Sequence, residues 1–258
     1  MPHDIMPGTV RLVGAGPGPA ELLTVRAARI IGEAKALLYD ALVSDDVLAL
    51  APLACLKIQT GKRAGRPSMR QETINRLMLR LARRGTDVVR LKGGDPSIFG
   101  RVGEEIDFLE AHGVPVEVTP GVTAACAAAA QFRFPLTHRG EARRVVFTTA
   151  RMARGELVGD WRVAADPEAT AAIYMGGGCV AVIATRLIEA GRPPSTPALI
   201  AESAGGPEAR IEVSTLLDLT RQAPTAADGP VLIIVGEVAA RADASRFSIK
   251  ETREALQA

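Results

Sequence analysis

The stretch VVRLKGGDPSIFG, residues 88–100, begins like a buried strand and then changes character abruptly. Val88, Val89 and Leu91 are typical of a strand that is covered on both faces. Two glycines end the strand just before Asp95, and such a pair indicates a sharp bend or a close approach by another group. Because ligands of open α/β sheets bind outside the carboxyl ends of the strands, this stretch predicts a ligand at that edge.

Short apolar strands alternate with amphipathic helices through the first half of the chain. The predicted strands cover residues 9–14, 36–40, 55–59, 87–91 and 115–118. The predicted helices cover 21–34, a segment carrying Ile74, Leu77, Met78 and Leu81, then 104–112 and 123–130. This alternation is typical of a parallel sheet with helices on both faces.

The same alternation resumes after residues 131–142, which we interpret as a linker. Strands are predicted near residues 144–149, 171–175, 197–201, 208–213 and 231–235, with a helix from about 179 to 190. The sequence therefore predicts an α/β protein of two αβα domains with a cleft between them. The first domain, 1–138, carries the GAGPG and GGDP loops, and the second covers 139–258.

Composition and charge exclude several functional classes. The chain of 258 residues has a formal net charge of +2 and 3% aromatic residues, which disfavours nucleic-acid binding. No apolar run approaches the ~20 residues that span a bilayer, and the segment MPHDIMPGTV lacks the apolar core of a signal peptide. The three cysteines, Cys55, Cys126 and Cys179, lie too far apart for a CxxC metal pair and are odd in number. We therefore expect a cytoplasmic protein without a bound metal.

The segment GAGPG, residues 14–18, follows the first predicted strand and admits more than one interpretation. It is similar to a dinucleotide-binding loop, with Asp40 near the position of the acidic residue that would bind the ribose. Pro19 stands where the third glycine of that fingerprint belongs, and neither Pro17 nor Pro19 has an amide hydrogen to offer a pyrophosphate. A tight turn without a ligand is the alternative.

Six further segments accompany GAGPG in a fixed order: YDALVS (39–44), GKRAG (61–65), RLKGGDPSIFGR (90–101), TPGVTAA (119–125), PLTHRG (135–140) and IYMGGG (173–178). Together they closely resemble the uroporphyrinogen-III C-methyltransferases of the tetrapyrrole methylase superfamily, from about residue 9 to residue 238. The resemblance implies the tetrapyrrole methylase fold with a cofactor cleft between the two domains, a homodimer, and S-adenosyl-L-methionine as methyl donor without a metal. It also implies C-methylation of uroporphyrinogen III at two positions, which gives precorrin-2.

The resemblance assigns roles to individual residues. Contacts with S-adenosylmethionine are implied for Pro17, Gly93, Gly94, Asp95, Ile98, Thr123, Ala124, Met175, Ala204, Pro230 and Val231. Asp40 is implied as the proton acceptor and Lys62 as the proton donor, and Arg101 and Glu104 are implied in substrate handling. Since uroporphyrinogen carries many carboxylates, we expect cationic groups around it. The candidates are Lys62, Arg63, Arg66, Arg101, Arg139, Arg143 and Arg151.

Four residues depart from the usual pattern of this family: Pro19, Val102, Thr149 and Ala150. Two other functional classes stay open beside the first. One is a methyltransferase of the same fold that acts on a later corrin intermediate or on RNA, and the low aromatic content disfavours RNA. The other is a non-catalytic cofactor-binding module, in which Asp40 and Lys62 would have no evident purpose.

Overall fold

The computed structural model describes residues 6–61, 69–153, 156–158, 161–222 and 229–243. The chain divides into two compact units, Met1–Thr123 and Ala124–Ala258, and each unit is described by itself. The predicted cofactor cleft between them stays a prediction.

The first unit is built on a parallel sheet, as the alternation predicts. Its strands are β1 (Val10–Gly14), β2 (Ala36–Tyr39), β3 (Leu56–Gln59), β4 (Val88–Lys92) and β5 (Val116–Thr119), in the order β3-β2-β4-β1-β5. Its helices are α1 (Val25–Gly32), α2 (Asp45–Ala49), α3 (Gln71–Ala82) and α4 (Val102–Glu110), with a short 3-10 helix at Ala20–Leu22. All its strand pairs are parallel, so their carboxyl ends lie at one edge of the sheet.

The central strand β4 packs on both faces of this sheet. Val89 and Leu91 belong to a core cluster with residues of α1 and α2. Val88 belongs to the cluster on the other face, where side chains of α3 and α4 contact the sheet. Successive side chains of a strand point to opposite faces, so one apolar strand holds both helical layers together.

The helix predicted at residues 21–34 is shorter in the structure. The α-helical part begins only at Val25, because the hydroxyl of Thr24 accepts a hydrogen bond from the amide of Ala27 at 3.1 Å and caps the first turn.

The second unit contains a mixed sheet. The strands are β6 (Arg144–Thr149), β7 (Arg151–Ala153), β8 (Glu156–Val158), β9 (Ala169–Tyr174), β10 (Pro197–Glu202), β11 (Arg210–Thr215) and β12 (Val231–Val235). The helices are α5 (Ala124–Gln131), α6 (Trp161–Ala164), α7 (Val180–Glu189) and α8 (Leu216–Leu219), with 3-10 helices at Gly177–Cys179 and Glu237–Arg241. The main sheet has the order β11-β10-β12-β9-β6, and β7 and β8 form a separate hairpin.

Within this main sheet, β6 and β9 are parallel, whereas β9, β12, β10 and β11 pair antiparallel. The loop 203–209 between β10 and β11 is too short for a parallel crossover, so it turns the chain back as a hairpin.

The helix α5 belongs to the second unit. Ala125, Ala128, Phe132 and Phe134 are buried in a core cluster with Leu199 and other residues of the second sheet. The two compact units meet at 123/124, whereas the domain boundary predicted from the sequence is 138/139, and that boundary stays a prediction. Part of the segment interpreted as a linker is packed core, because alanine-rich α5 can lie close to the sheet.

Candidate active site

The carboxyl edge of the first sheet is closed by three glycine-containing loops. The loop after β1 pairs with the loop after β4, since Gly16 and Gly94 exchange backbone hydrogen bonds of 3.2 and 2.7 Å. Gly121, in the loop after β5, has no room for a side chain, because an added Cβ would overlap the carbonyl oxygen of Gly94. A Cβ on Gly14 would likewise lie 2.6 Å from the Cα of Gly121. These glycines let three backbone segments meet directly. We call this part of the sheet, with Gly14, Gly16, Gly94 and Gly121, the glycine-closed edge.

This geometry disfavours a pyrophosphate cradle in the GAGPG segment. The amides of Ala15 and Gly16 donate to the carbonyls of Lys92 and Gly94 and are thus already used within the protein. The first α-helix begins at Val25, well after the glycines, so the loop does not open onto a helix N-terminus.

Asp95 ties two of the loops together. Its Oδ2 accepts from the amide of Gly121 at 2.9 Å, and its Oδ1 accepts from the amide of Ser97 at 2.8 Å. Burial opposes ionisation of this carboxyl, but the hydrogen bonds from Ser97 and Gly121 outweigh it and lower the pKa of Asp95. Asp95 is therefore a carboxylate that orders the edge at which the ligand is expected.

The residues predicted to contact the cofactor in the first unit all follow β1, β4 or β5. They are Pro17, Gly93, Gly94, Asp95, Ile98 and Thr123. Gly94 has φ +68°, which favours glycine, and Leu42 packs over Gly93. Leu42 and Phe99 expose apolar side chains beside these loops, at 59% and 37%, and the sequence analysis did not single them out.

The predicted cofactor residues of the second unit lie at one edge of its sheet. The end of β9 lies beside the start of β12, where Tyr174 pairs with Leu232, and β12 begins beside the end of β10. The amide of Ala125 donates to the hydroxyl of Tyr174 at 3.3 Å, which places the start of α5 at the same edge. This edge carries Ala124, Met175, Ala204, Pro230 and Val231.

Four non-glycine residues in or beside these loops have a left-handed backbone. They are Phe99, Arg101, Met175 and Ser203, with φ of 54°, 58°, 60° and 49°. A fifth such residue, Arg133, lies elsewhere. Conformations of this kind cost on the order of 1–3 kcal/mol and cluster at functional sites, so they support the assignment of both edges as sites.

Asp40, the predicted proton acceptor, directly follows β2, and its side chain is 32% exposed. Its Oδ1 accepts from Nη2 of Arg90 at 2.5 Å and lies 3.4 Å from the hydroxyl of Thr60. Both hydrogen bonds that Arg90 and Thr60 make to this carboxylate end on Oδ1. Lys62, the predicted proton donor, lies outside the described residues, as do Arg63 and Arg66.

Arg101 and Glu104, the predicted substrate residues, pair with each other. Nε and Nη2 of Arg101 donate to the two carboxylate oxygens of Glu104 at 2.8 and 2.6 Å. The hydrogen bond to Glu104 raises the pKa of Arg101. The guanidinium is thus partly neutralised, and any other carboxylate must compete with Glu104 for it. Arg139 and Arg143 are exposed, and the side chain of Arg151 lies outside the description.

Comparison with known proteins identifies the family. The profile of the Tetrapyrrole (Corrin/Porphyrin) Methylases matches residues 9–220. The chain belongs to the tetrapyrrole methylases. Its segment VVRLKGGDPSIFG lies inside the matched region, and the glycine-closed edge is thus part of a tetrapyrrole methylase domain.

Two relatives of this tetrapyrrole methylase differ in length. The chain is 45% identical over 238 residues to the uroporphyrinogen-III C-methyltransferase of Paracoccus denitrificans, an alignment that covers 92% of this chain and 83% of the relative. It is 46% identical over 237 residues to the siroheme synthase of Xylella fastidiosa, covering 92% of this chain and 50% of that protein. The chain therefore spans about half the length of the siroheme synthases that it matches.

A solved structure confirms the tetrapyrrole methylase fold. The crystal structure of the uroporphyrin-III C-methyl transferase from Thermus thermophilus complexed with S-adenyl homocysteine is 44% identical in sequence, with a TM-score of 0.79. The superposition covers 91% of this chain and 100% of that one.

A buried charged network behind Asp40 was not predicted from the sequence. Arg90 and Lys92 lie two residues apart in β4, and both bond to Glu105 of α4, at 3.3 and 3.0 Å. All three side chains are almost inaccessible to solvent. The signal that could have revealed them is the placement of two cations inside an otherwise apolar strand, where charges need partners.

The described part of the chain contains no group of three or more His, Cys, Asp or Glu side chains placed to hold a metal ion. None of its helices is long and apolar enough to cross a membrane.

Proposed function

We propose that this tetrapyrrole methylase transfers the methyl group of S-adenosylmethionine to carbon atoms of uroporphyrinogen III, at two positions, giving precorrin-2. The observation that carries the proposal is the 45% identity to a uroporphyrinogen-III C-methyltransferase over nearly the whole chain. The glycine-closed edge, with the partly exposed carboxylate of Asp40 beside it, supports the same activity.

The residues fit a molecule such as S-adenosylmethionine. The loops at Gly93–Gly94 offer backbone without side chains, and Asp95 is an ionised acceptor for an amine or a hydroxyl. Leu42, Phe99 and Met175 offer exposed apolar surface for a base or a thioether chain. We propose that the eleven residues assigned above from the family resemblance bind S-adenosylmethionine, which supplies an activated methyl group.

For the chemistry we propose three roles. Asp40 accepts the proton that the macrocycle loses on methylation, and its partly exposed carboxylate at the end of β2 supports this role. Lys62 donates a proton, as the resemblance implies. Arg101, with Glu104, binds a carboxylate of the tetrapyrrole, because a guanidinium pairs with carboxylates bidentately.

We also propose that the protein acts as a homodimer in the cytoplasm. The family resemblance supports the dimer. The three free cysteines support a reducing compartment, because secreted proteins of this size more often pair theirs.

Mass spectrometry of an anaerobic reaction with uroporphyrinogen III and S-adenosylmethionine tests the proposed activity. We expect the tetrapyrrole to gain two methyl groups. Methylation of a later corrin intermediate or of RNA, with uroporphyrinogen III unchanged, would contradict the proposal. Binding of S-adenosylmethionine without any transfer would instead indicate a non-catalytic module.

A further inference from the structure

The central strand of the first sheet carries a charge where an apolar residue would be expected. Arg90 lies in β4 with Leu12 and Leu38 as its neighbours on the flanking strands, and both leucines are fully buried. Arg90 itself is 2% exposed. A charge in such a place costs several kcal/mol unless it is fully paired, so its partners must be accounted for.

The guanidinium of Arg90 donates four hydrogen bonds to the described residues. Its Nε donates to Oε1 of Glu105 at 3.3 Å, and its Nη1 donates to the hydroxyl of Thr60 and the carbonyl of Leu91, each at 3.1 Å. Its Nη2 donates to Oδ1 of Asp40 at 2.5 Å. The planar guanidinium therefore has a single orientation, in which Nη2 bonds to the Asp40 carboxylate.

Glu105 is the buried anchor of this arrangement. Its second oxygen accepts from Nζ of Lys92 at 3.0 Å, and its first also accepts from the side-chain amide of Gln71 at 2.9 Å. Burial lowers the pKa of Lys92, and the charge of Glu105 opposes that effect. Two cations and two anions thus form one neutral network from α4 to the end of β2.

Stability alone does not explain this network. Replacing buried ion pairs by well-packed apolar residues is often neutral or stabilising, so a polar core at this place calls for another reason. Three of the four charged side chains are 0–4% exposed, whereas Asp40 is 32% exposed. The network therefore ends in one partly exposed carboxylate, whose Oδ1 accepts from Arg90.

We propose that Arg90, held by Glu105, is a positioning residue that fixes the Asp40 carboxylate so that Oδ2 can take the proton released on methylation. This inference rests on the proposed function, because it gives Arg90 a task in that reaction. Arg90 acts through Asp40 and does not itself meet the tetrapyrrole or S-adenosylmethionine.

The test is a double-mutant cycle between Arg90→Lys and Asp40→Asn, with kcat for uroporphyrinogen III methylation as the readout. Lysine keeps the positive charge but lacks the planar guanidinium that bonds to Glu105 and Asp40 at the same time. We expect kcat to fall about 10–100-fold in Arg90→Lys, since a misplacement of about 1 Å can cost about 10²-fold. The affinity for S-adenosylmethionine should stay unchanged. In the Asp40→Asn background the same substitution should change kcat less than about twofold.

Two further variants keep the test decisive. Glu105→Gln removes the anchor without touching Asp40, so it replaces Arg90→Lys in the cycle if that variant does not fold. Arg192→Lys is the matched control, since Arg192 is a 1% exposed arginine of the second unit that bonds to the carbonyls of Asp166 and Ala169. It should lower stability and leave kcat unchanged.

The outcomes separate the two proposals. An active wild type in which Arg90→Lys lowers kcat equally in both backgrounds would overturn the positioning role alone. A decrease in kcat by Arg192→Lys as large as that by Arg90→Lys would also overturn it, because the effect would then follow from general destabilisation. A wild type without methyltransferase activity would overturn the proposed function and this inference together.

Discussion

At the scale of single residues, the carboxyl edge of the first sheet depends on glycines whose backbone atoms are in direct contact. Gly121→Ala should destabilise the protein by about 1–3 kcal/mol, because its methyl group would overlap the carbonyl oxygen of Gly94. Gly103→Ala is the control, since Gly103 lies in α4 with nothing within 4 Å of the added atom. That change should stabilise the helix by up to about 1 kcal/mol. Urea unfolding of both variants measures the difference, and equal stabilities would contradict the packing argument.

Asp95 should make the first unit sensitive to acid. Its folded-state pKa is lowered, chiefly by Ser97 and Gly121 acting against burial, so its contribution to stability is present above the unfolded pKa of about 3.9. That contribution is lost as the pH falls through the folded pKa. In Asp95→Asn, the free energy of unfolding at neutral pH should fall by about 1–3 kcal/mol, and it should depend less on pH between about 5 and 2. An unchanged acid profile would show that Asp95 does not order the loops.

At the scale of secondary structure, α4 begins with a strained residue for which we propose a role in substrate binding. Arg101 is its N-cap, with φ 58° and ψ 26°. Since its ion pair with Glu104 is exposed, losing it should cost only about 0–1 kcal/mol. Arg101→Gly should therefore be more stable than Arg101→Ala by about 1 kcal/mol, because glycine relieves the left-handed backbone.

Both variants should bind the tetrapyrrole more weakly than the wild type does. Thermal unfolding and substrate titration of the pair check this, and a glycine variant no more stable than the alanine variant would contradict it.

The strands of the first unit could be predicted from the sequence because their signals are local. The run at Val88–Lys92 is apolar and ends in glycine, so both its burial and its carboxyl end can be inferred. The bond between Arg90 and Glu105 could not, since it joins a strand to a helix in another layer. Nor could the contact of Gly121 with Gly94, because a glycine does not indicate which backbone it approaches.

At the scale of the whole molecule, the division into two units depends on α5. Because Phe132 and Phe134 are buried in the second unit, a chain that begins at Arg139 should be much less stable than one that begins at Ala124. Loss of a buried phenylalanine side chain typically costs about 3–5 kcal/mol. Chemical unfolding of the two fragments measures this, and equal stabilities would return the boundary to 138/139.

The direction of the second sheet's strands could not be predicted from alternation alone. The run near 208–213 reads as one more strand, and only the short loop before it makes β10 and β11 antiparallel. The cofactor residues of that unit were inferred from family resemblance. Their common edge follows from the pairing of β9, β10 and β12, which no single segment encodes.

In the proposed reaction, Asp40, the carboxylate beside the glycine-closed edge, accepts a proton during methyl transfer. The most direct measurement is the kinetics of Asp40→Asn at saturating uroporphyrinogen III, together with a titration of S-adenosylmethionine. Asparagine keeps the shape of the side chain but removes most of its basicity. We expect kcat to fall by about 10²–10⁴, the usual contribution of a general base, with cofactor affinity nearly unchanged. Weakened cofactor binding with turnover at saturation close to that of the wild type would contradict the claim and make Asp40 a ligand of the cofactor ribose.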